Sequence, residues 1–265
     1  MKQEHSELLQ KISGIKGCVS KKEAVFLYDS AKNCREGVIV EIGSWRGKST
    51  ICLGFGSKNG HGAKVYAIDP HRGSPDQKGF GQENSYDVFK KNIRNAGLED
   101  IVEQVVSTSF EAVKTWDKPI GLIFVDANYH DYENTKKDFF QWSRHLVSGG
   151  IYALHNTVPS VSGILEGTPL HGCQAPRQFM EDFIYGSNRW KNLKTYGTIT
   201  AMEKAEKINL WNKIKNRLSQ LKSRLLYLNH KIYLTLASLP QPIKKPLKWF
   251  LSHKTIPQLN DGSGK

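Results

Sequence analysis

Cysteine is scarce in this chain of 265 residues, and the cysteines are not arranged in pairs. The absence of a C-x-x-C motif argues against a zinc knuckle or a disulfide framework and is typical of a reducing cytoplasm. The chain also lacks the run of about 18 apolar residues that a membrane-spanning helix needs, and its polar start contains no secretory signal. We therefore expect a cytoplasmic protein that is long enough to bury a substantial core. The scattered cysteines are Cys18, Cys34, Cys52 and Cys173.

Acidic residues are absent from one long segment near the carboxyl end. Residues 207–254 contain eleven of the 38 Lys and Arg residues and neither Asp nor Glu, so this segment carries most of the formal net charge of +13. The composition changes near residue 205. We therefore divide the chain into a domain over 1–205, a basic amphipathic helical extension over 206–254, and a tail over 255–265 that we expect to be disordered.

The first domain alternates short apolar runs with helical patterns, which predicts a parallel sheet with helices on both faces. Two later strand-like pieces meet at Gly197, which favours a hairpin at one sheet edge. The predicted fold class is therefore α/β, a Rossmann-like, seven-stranded, mostly parallel sheet with a carboxy-terminal helical extension. The predicted strands are 37–42, 64–68, 101–106, 120–125, 151–154, 190–196 and 198–202. The predicted helices are 21–33, 49–57, 84–96, 110–116, 133–146 and 176–184.

Glycine and an acidic residue mark the loop after the first predicted strand. Gly43 permits a tight turn, and Gly47 and Ser49 open the next helix, where free N–H groups can face a ligand. The spacing matches neither G-x-G-x-x-G nor a P-loop, and Glu41 suits a cationic amino group better than a pyrophosphate. After the second strand, Asp69 can accept both hydroxyls of a ribose. Together these residues favour a nucleoside ligand with an amino group.

Four stretches, in this order, carry a family resemblance: VEIGSWRGKST, VYAIDPH, LIFVDANYHDYENTKKDFFQW and LVSGGIYALHNT. They resemble the class I S-adenosylmethionine-dependent methyltransferases, nearest to the small sugar and natural-product O-methyltransferases. The similarity extends over roughly residues 22–202. It implies S-adenosylmethionine as cofactor. The implied cofactor contacts are Glu41, Gly43 and Gly47 for the methionine portion, Asp69 for the ribose, Ser107 and Thr108 near the adenine, and Ser44, Ser49 and Asp126 around them.

The ends of the fourth and fifth strands are the predicted chemical edge. Methyl transfer to a hydroxyl needs an aligned oxygen and a route for its proton, so His155 and His130 are candidate bases beside Asp126. Asp126 and Asn156 are also candidate ligands for Mg²⁺, which could polarise a substrate diol. Related enzymes commonly have Asp where this chain has Asn156, which lacks the charge that favours a hard cation. Metal-free chemistry is therefore favoured over Mg²⁺.

The basic extension contains a heptad-like apolar stripe with Lys and Arg largely off it. This stripe could pack on the body or on a second subunit in a homo-oligomer. It could instead lie on an anionic membrane at the inner face, with Trp211, Trp249 and Phe250 at the interface. Nucleic-acid binding is disfavoured because the aromatic residues join the apolar side. The stripe consists of Ile214, Leu218, Leu221, Leu225, Leu228 and Ile232.

These patterns predict an O-methyltransferase that acts on a hydroxyl of a sugar, a polysaccharide-linked intermediate or a related small-molecule acceptor. An alternative is a non-catalytic S-adenosylmethionine-binding protein of the same fold, associated with a membrane or a partner complex. A nicotinamide-dependent dehydrogenase is disfavoured by the missing G-x-G-x-x-G motif and by the charge of Glu41.

Overall fold

The computed structural model describes residues 2–72, 85–127, 131–159 and 174–238. Seven strands form one sheet in the order β3-β2-β1-β4-β5-β7-β6. The first five strands are parallel, and β7 is antiparallel to both β5 and β6. The predicted fold class is confirmed. The strands are β1 (Val38–Ile42), β2 (Val65–Ile68), β3 (Val102–Val105), β4 (Ile120–Val125), β5 (Leu146–Leu154), β6 (Trp190–Tyr196) and β7 (Ile199–Lys204).

The helices alternate with the strands along the chain, as a parallel sheet requires. A 3₁₀ turn, Val113–Thr115, extends α5, and a π-helical segment, Met180–Ile184, extends α7. The helix α1 was not predicted, because its sequence is mostly polar and buries only three residues. The helices are α1 (Gln3–Ile12), α2 (Lys21–Lys32), α3 (Lys48–Lys58), α4 (Tyr86–Asn95), α5 (Ser109–Ala112), α6 (Tyr132–Ser143), α7 (Gln174–Phe179) and α8 (Leu210–Ser238).

Both faces of the sheet are buried. Along β4, Leu122 and Phe124 join the core beneath α2 and α3, whereas Ile123 and Val125 join the core beneath α6 and α7. Successive side chains of a strand point to opposite faces, so two covered faces require an uninterrupted apolar run. This is why the central strands were readable as continuous apolar segments.

The strand β5 begins five residues earlier than predicted. Its pairing with β4 changes register between the Ile120–Leu146 pair and the Leu122–Ile151 pair, so extra residues are accommodated in β5. Gly149 in this stretch has a φ of 81°. The Ser-Gly-Gly sequence resembles a turn, but the structure uses it as an irregular part of the strand.

The helix α8 packs on the body through its polar side. The Asn216 side chain donates a hydrogen bond to the Trp190 carbonyl (2.7 Å), and the Gln220 side chain donates to Glu181 (2.6 Å). The apolar stripe lies on the opposite side, where Leu218 is 60% exposed and Leu225 is 52% exposed. Packing of the stripe on the body, one of the predicted possibilities, is therefore wrong for the described residues.

Two predicted segments lie outside the described residues. One is 239–254 of the extension, with Trp249 and Phe250, and the other is the tail 255–265. The division of the chain into three parts stays a prediction. Among the residues that the structure describes, no helix combines the length and the apolar character needed to cross a membrane.

The different environments of two leucines predict different costs of truncation. Leu27, fully buried in α2, should lose roughly 2–5 kcal/mol of unfolding free energy on replacement by alanine. Leu225→Ala, on the exposed side of α8, should change it by less than about 0.5 kcal/mol. Urea unfolding followed by circular dichroism measures both. A cost for Leu225→Ala as large as that for Leu27→Ala would mean that the stripe is buried against the body.

Candidate active site

The carboxyl ends of the parallel strands meet at one edge of the sheet, and the loops there are strained. Trp45, His71 and Asn156 follow β1, β2 and β5 and have φ values of 43°, 53° and 57°. Residues other than glycine rarely adopt positive φ values, and those that do are concentrated at functional sites. Ligands of open α/β sheets also bind beyond this edge. The edge is therefore the candidate active site.

Two glycines shape the loop between β1 and α3. Gly43 has a φ of 90°, and a β-carbon there would lie 2.5 Å from the Asp126 carbonyl oxygen. Gly47 has a φ of 84° and is the residue before α3, packed against the Phe89 ring. The loop thus approaches the end of β4 closely, and the free N–H groups of the first turn of α3 follow it directly.

Glu41 lies beneath this loop and is completely buried. Its carboxyl group accepts a hydrogen bond from the Thr50 hydroxyl, and burial raises its pKa to about 8, so it is largely neutral at pH 7. Glu41 lies below the loop, and its Oε1 atom has no hydrogen-bond partner among the described residues. Its contact with the methionine portion of the cofactor stays a prediction. Ser44 and Ser49 are also buried, and the Ser44 hydroxyl oxygen has no hydrogen-bond partner within the described parts of the chain.

Asp69 connects the loops after β1 and β2. Its two carboxylate oxygens accept hydrogen bonds from the Trp45 N–H (2.8 Å) and the His71 N–H (2.6 Å). Each carboxylate oxygen has a second lone pair, so Asp69 can still accept hydrogen bonds from two hydroxyls. This geometry suits the predicted ribose contact.

His71 is buried beside Asp69. Its ring nitrogens lie 2.9 Å from the Ser85 hydroxyl and 3.1 Å from the Gln104 side-chain nitrogen, and burial lowers its pKa. His71 therefore holds the loop after β2 in place, and its burial keeps it from contacting the molecule that accepts the methyl group.

Ser107 and Thr108 follow β3, next to β2 in the sheet. Thr108 is the N-cap residue of α5, and its hydroxyl accepts a hydrogen bond from the Glu111 N–H at 3.3 Å. The Ser107 hydroxyl donates to the Thr108 carbonyl. Both residues are thus at the correct edge, and their contact with the adenine stays a prediction.

Asp126 and His155 directly follow the neighbouring strands β4 and β5 and are in contact. The Nδ1 atom of His155 lies 2.6 Å from the Asp126 carboxylate. On the other side of the ring, Nε2 lies 3.6 Å from the Glu23 carboxylate. The His155 side chain is 3% exposed, whereas the Asp126 side chain is 17% exposed. The imidazole is therefore enclosed between two carboxylates, and Asp126 is the member nearer to solvent.

The two carboxylates keep this histidine charged. Burial by itself lowers the pKa of His155, but Asp126 and Glu23 outweigh that effect and raise it to about 10. For Glu23, burial opposes ionisation, and the His155 imidazolium with the N–H groups of Thr198 and Ser20 reverses the balance and lowers its pKa to about 2. A histidine with this pKa and burial is a poor proton acceptor at neutral pH.

Glu23 is the residue that sequence reasoning missed. It lies in the first turn of α2, where Ser20 and Glu23 form a reciprocal capping box. The Oε2 atom of Glu23 accepts the hydrogen bond of the capping box. The Oε1 atom, which faces His155, accepts hydrogen bonds from the N–H (2.6 Å) and the hydroxyl of Thr198, between β6 and β7. The S-x-x-E spacing could have identified the cap, but no local signal indicates a contact with His155.

The remaining predicted catalytic and metal residues are less well supported. His130 lies outside the described residues. Asn156 follows His155 in a left-handed conformation, and it adds no negative charge to the single carboxylate of Asp126. An imidazolium 2.6 Å from that carboxylate would repel a divalent cation. These donors do not fit a Mg²⁺ site, which needs several oxygen ligands and negative charge.

Comparisons with known proteins agree with this geometry. A family model described as a methyltransferase domain matches residues 40–157, which run from within β1 to three residues beyond β5. The chain also shares its fold with solved methyltransferase structures. Residues 40–157, less than half of the chain, thus match the methyltransferase domain family. The family predicted from the four sequence stretches is thus confirmed.

Several relatives of this methyltransferase are O-methyltransferases. A catechol O-methyltransferase from Mycobacterium tuberculosis is 29% identical over 148 residues, which are 56% of this chain and 60% of that protein. An O-methyltransferase from Bacillus cereus, solved with S-adenosylhomocysteine, has a TM-score of 0.52 at 23% identity, over 77% of this chain and 92% of the other. A Podospora anserina methyltransferase, also bound to S-adenosylhomocysteine, has a TM-score of 0.57 at 17% identity, over 78% and 89%.

The charged state of His155 predicts a pH dependence of stability. Because folding raises its pKa from 6.5 to about 10, the stabilisation is complete below pH 6.5 and is lost as the pH rises toward 10. The His155→Gln variant should lack this part of the decline, up to about 1.4 kcal/mol per pH unit. Urea unfolding across this range measures it, with exposed His61→Gln as the control. Equal slopes in His155→Gln and the wild type would show that His155 is not held as a cation.

Proposed function

We propose that this methyltransferase transfers the methyl group of S-adenosylmethionine to a hydroxyl of a sugar or of a polysaccharide-linked intermediate. The observation that carries the proposal is the convergence of Asp69 and Asp126 at one sheet edge, beside a loop whose backbone favours glycine at two positions. The sugar acceptor is inferred from the resemblance to sugar O-methyltransferases. The polar residues after β1 and β5, among them Arg46 and Asn156, suit a hydroxylated acceptor better than an apolar one.

The described residues fit the cofactor. Asp69 has lone pairs for the ribose hydroxyls, and the first turn of α3 offers N–H groups beyond Gly47. The buried, unpartnered hydroxyl of Ser44 provides a polar group that a ligand could satisfy. When bound, S-adenosylmethionine supplies a methyl group on a positively charged sulfur. Glu41 contributes by keeping the loop in position from below.

Asp126 is the group we propose for the proton of the acceptor hydroxyl. It is an ionisable side chain at the end of β4 and retains exposure at the edge of the sheet. As the acceptor oxygen bonds to the methyl carbon, the bond from that carbon to sulfur breaks, and the hydroxyl proton passes to the Asp126 carboxylate directly or through water. The acceptor oxygen must approach the methyl carbon in line with the carbon–sulfur bond. The residues after β1 and β5 would impose this alignment.

His155 is proposed as a positioning residue that acts through Asp126. Its Nδ1 donates to Asp126, and the Glu23 carboxylate keeps the ring protonated from the other side. The enclosed imidazolium fixes the orientation of the Asp126 carboxylate through a charge-assisted hydrogen bond. The role of base, predicted from the sequence for His155, is thereby transferred to Asp126.

We also propose that the enzyme works at the inner face of a membrane, where polysaccharide-linked acceptors could be reached. The support is the exposed apolar side of α8 with its basic flanks. Homo-oligomer formation, the other predicted use of this surface, stays a prediction.

Donor binding tests the cofactor site. Calorimetric titration with S-adenosylhomocysteine should show binding to the wild type and at least about tenfold weaker binding to Asp69→Ala, which loses charged hydrogen-bond acceptors. Glu41→Gln should bind within about threefold of the wild type, because that buried carboxyl is already largely neutral. The exposed Asp100→Ala variant is the matched control. Absence of binding by folded wild-type protein would contradict the proposed cofactor.

Turnover tests the acceptor and the proton route. With radiolabelled S-adenosylmethionine, nucleotide sugars and oligosaccharides should accept methyl groups in preference to catechol. Asp126→Asn should lower kcat by about 10²–10⁴-fold. His155→Gln should lower it at least about tenfold, because the Asp126 carboxylate loses the charge-assisted hydrogen bond that orients it. Addition of EDTA should leave kcat unchanged.

Each part of this proposal can fail separately. Preferential methylation of catechol would overturn the sugar acceptor and leave the methyltransferase activity. An unchanged kcat in a folded His155→Gln variant, with unchanged affinity for S-adenosylhomocysteine, would remove His155 from the mechanism. Loss of activity in EDTA would contradict the metal-free route.

A further inference from the structure

The exposed side of α8 is an apolar surface with basic borders, and we propose that it docks the protein on an anionic lipid surface. The apolar surface consists of Ile214, Leu218, Leu221, Leu225, Leu228 and Ile232, each at least 41% exposed. The spacings of four and three residues keep these side chains on one stripe of a helix that is about 43 Å long. Contiguous apolar patches of this kind mark interaction sites.

Specific polar contacts hold α8 with this stripe outward. Glu181, in the segment after α7, accepts hydrogen bonds from Gln220 (2.6 Å) and from the Arg224 guanidinium (2.7 Å). The Arg177 guanidinium lies 4.1 Å from the centre of the Tyr227 ring. An amphipathic helix normally buries its apolar side. In α8 the polar side packs on the body, so the apolar stripe is available to a partner.

The flanks of the stripe favour lipid over a second copy of the helix. In a heptad frame with the stripe at the a and d positions, the e positions include Lys215 and Lys222, and the g positions include Arg217, Arg224 and Lys231. Two copies paired through the stripe would place positive charges opposite each other, where coiled coils normally place opposite charges. Glu181 compensates Arg224, but the helix itself has no Asp or Glu to compensate the other cations.

The same pattern is complementary to anionic headgroups. An interfacial helix has Lys and Arg along the borders of its apolar side, where they reach phosphates while the aliphatic side chains enter the acyl region. Exposed Trp211, at the amino end of α8, has the ring type that favours the membrane interface.

The contacts of α8 indicate that its carboxyl end points toward the active-site edge of the sheet. Successive residues of α8 contact residues progressively earlier in the segment that precedes it. Asn216 contacts Trp190, Arg224 contacts Glu181, and Tyr227 contacts Arg177. Helix α7 starts after the loop that leaves β5 at the active-site edge, so α8 runs antiparallel to it toward that edge. Docking through the stripe would therefore bring the site to the lipid surface, which would suit a lipid-linked acceptor; this last step rests on the proposed function.

Vesicle co-sedimentation of the full chain tests the docking surface. Wild-type protein should sediment with vesicles of equimolar phosphatidylcholine and phosphatidylglycerol and remain in solution with phosphatidylcholine alone. The Leu218→Glu/Leu225→Glu variant and the Lys215→Glu/Lys222→Glu variant should each bind anionic vesicles at least about tenfold less. A Lys22→Glu/Lys91→Glu variant, with the same charge change on α2 and α4, should bind much more than either.

Further measurements keep this test separate from the methyltransferase activity. Circular dichroism should show that all variants fold, and their affinity for S-adenosylhomocysteine should equal that of the wild type, so loss of vesicle binding alone concerns the surface of α8. Failure of the wild type to bind anionic vesicles would overturn the proposal. A wild-type dimer in light scattering that Leu218→Glu/Leu225→Glu dissociates, without vesicle binding, would assign the stripe to a second copy.

Discussion

The enclosed imidazolium of His155 is the interaction on which the candidate active site depends. Asp126 comes from β4, His155 from β5 and Glu23 from the first turn of α2, so one buried cation joins three elements. Glu23 also accepts hydrogen bonds from Thr198, which ties the β6–β7 hairpin to the same cluster. Breaking a buried ion pair leaves an uncompensated charge, which is strongly destabilising. The same arrangement that holds the fold together thus positions the carboxylate proposed for the chemistry.

The cofactor side of the site is organised differently, through backbone geometry. Asp69 holds the N–H groups of Trp45 and His71, and both of these residues have strained φ values. Gly43 lets the first loop approach the end of β4 without a clash. Ligand-facing loops of this kind need a rigid support, which the buried Glu41 and His71 provide. The site therefore combines preformed loops for the methyl donor with the Asp126 carboxylate on the side of the methyl acceptor.

The helix α8 reverses the usual relation between amphipathicity and packing. Its amides and its Arg224 bind the body, and its leucines remain outside. A stripe that is both apolar and bordered by cations cannot be assigned from its periodicity, because a buried helix and an interfacial helix have the same spacing. The three-dimensional contacts of Glu181 decide which side is free.

The sequence by itself determined the α/β fold, the order of the strands along the chain and the places of Gly43, Asp69, Asp126 and His155 at the ends of strands, because these depend on local apolar runs and on glycine. Only the tertiary structure decided that Glu41 is buried and neutral, that Glu23 completes the charged cluster, and that the stripe of α8 faces outward. Burial and long-range pairing set the protonation state of a residue, and neither can be obtained from neighbours in the chain. The same reason explains why the surroundings of His155 include Glu23, a residue far from it in the chain.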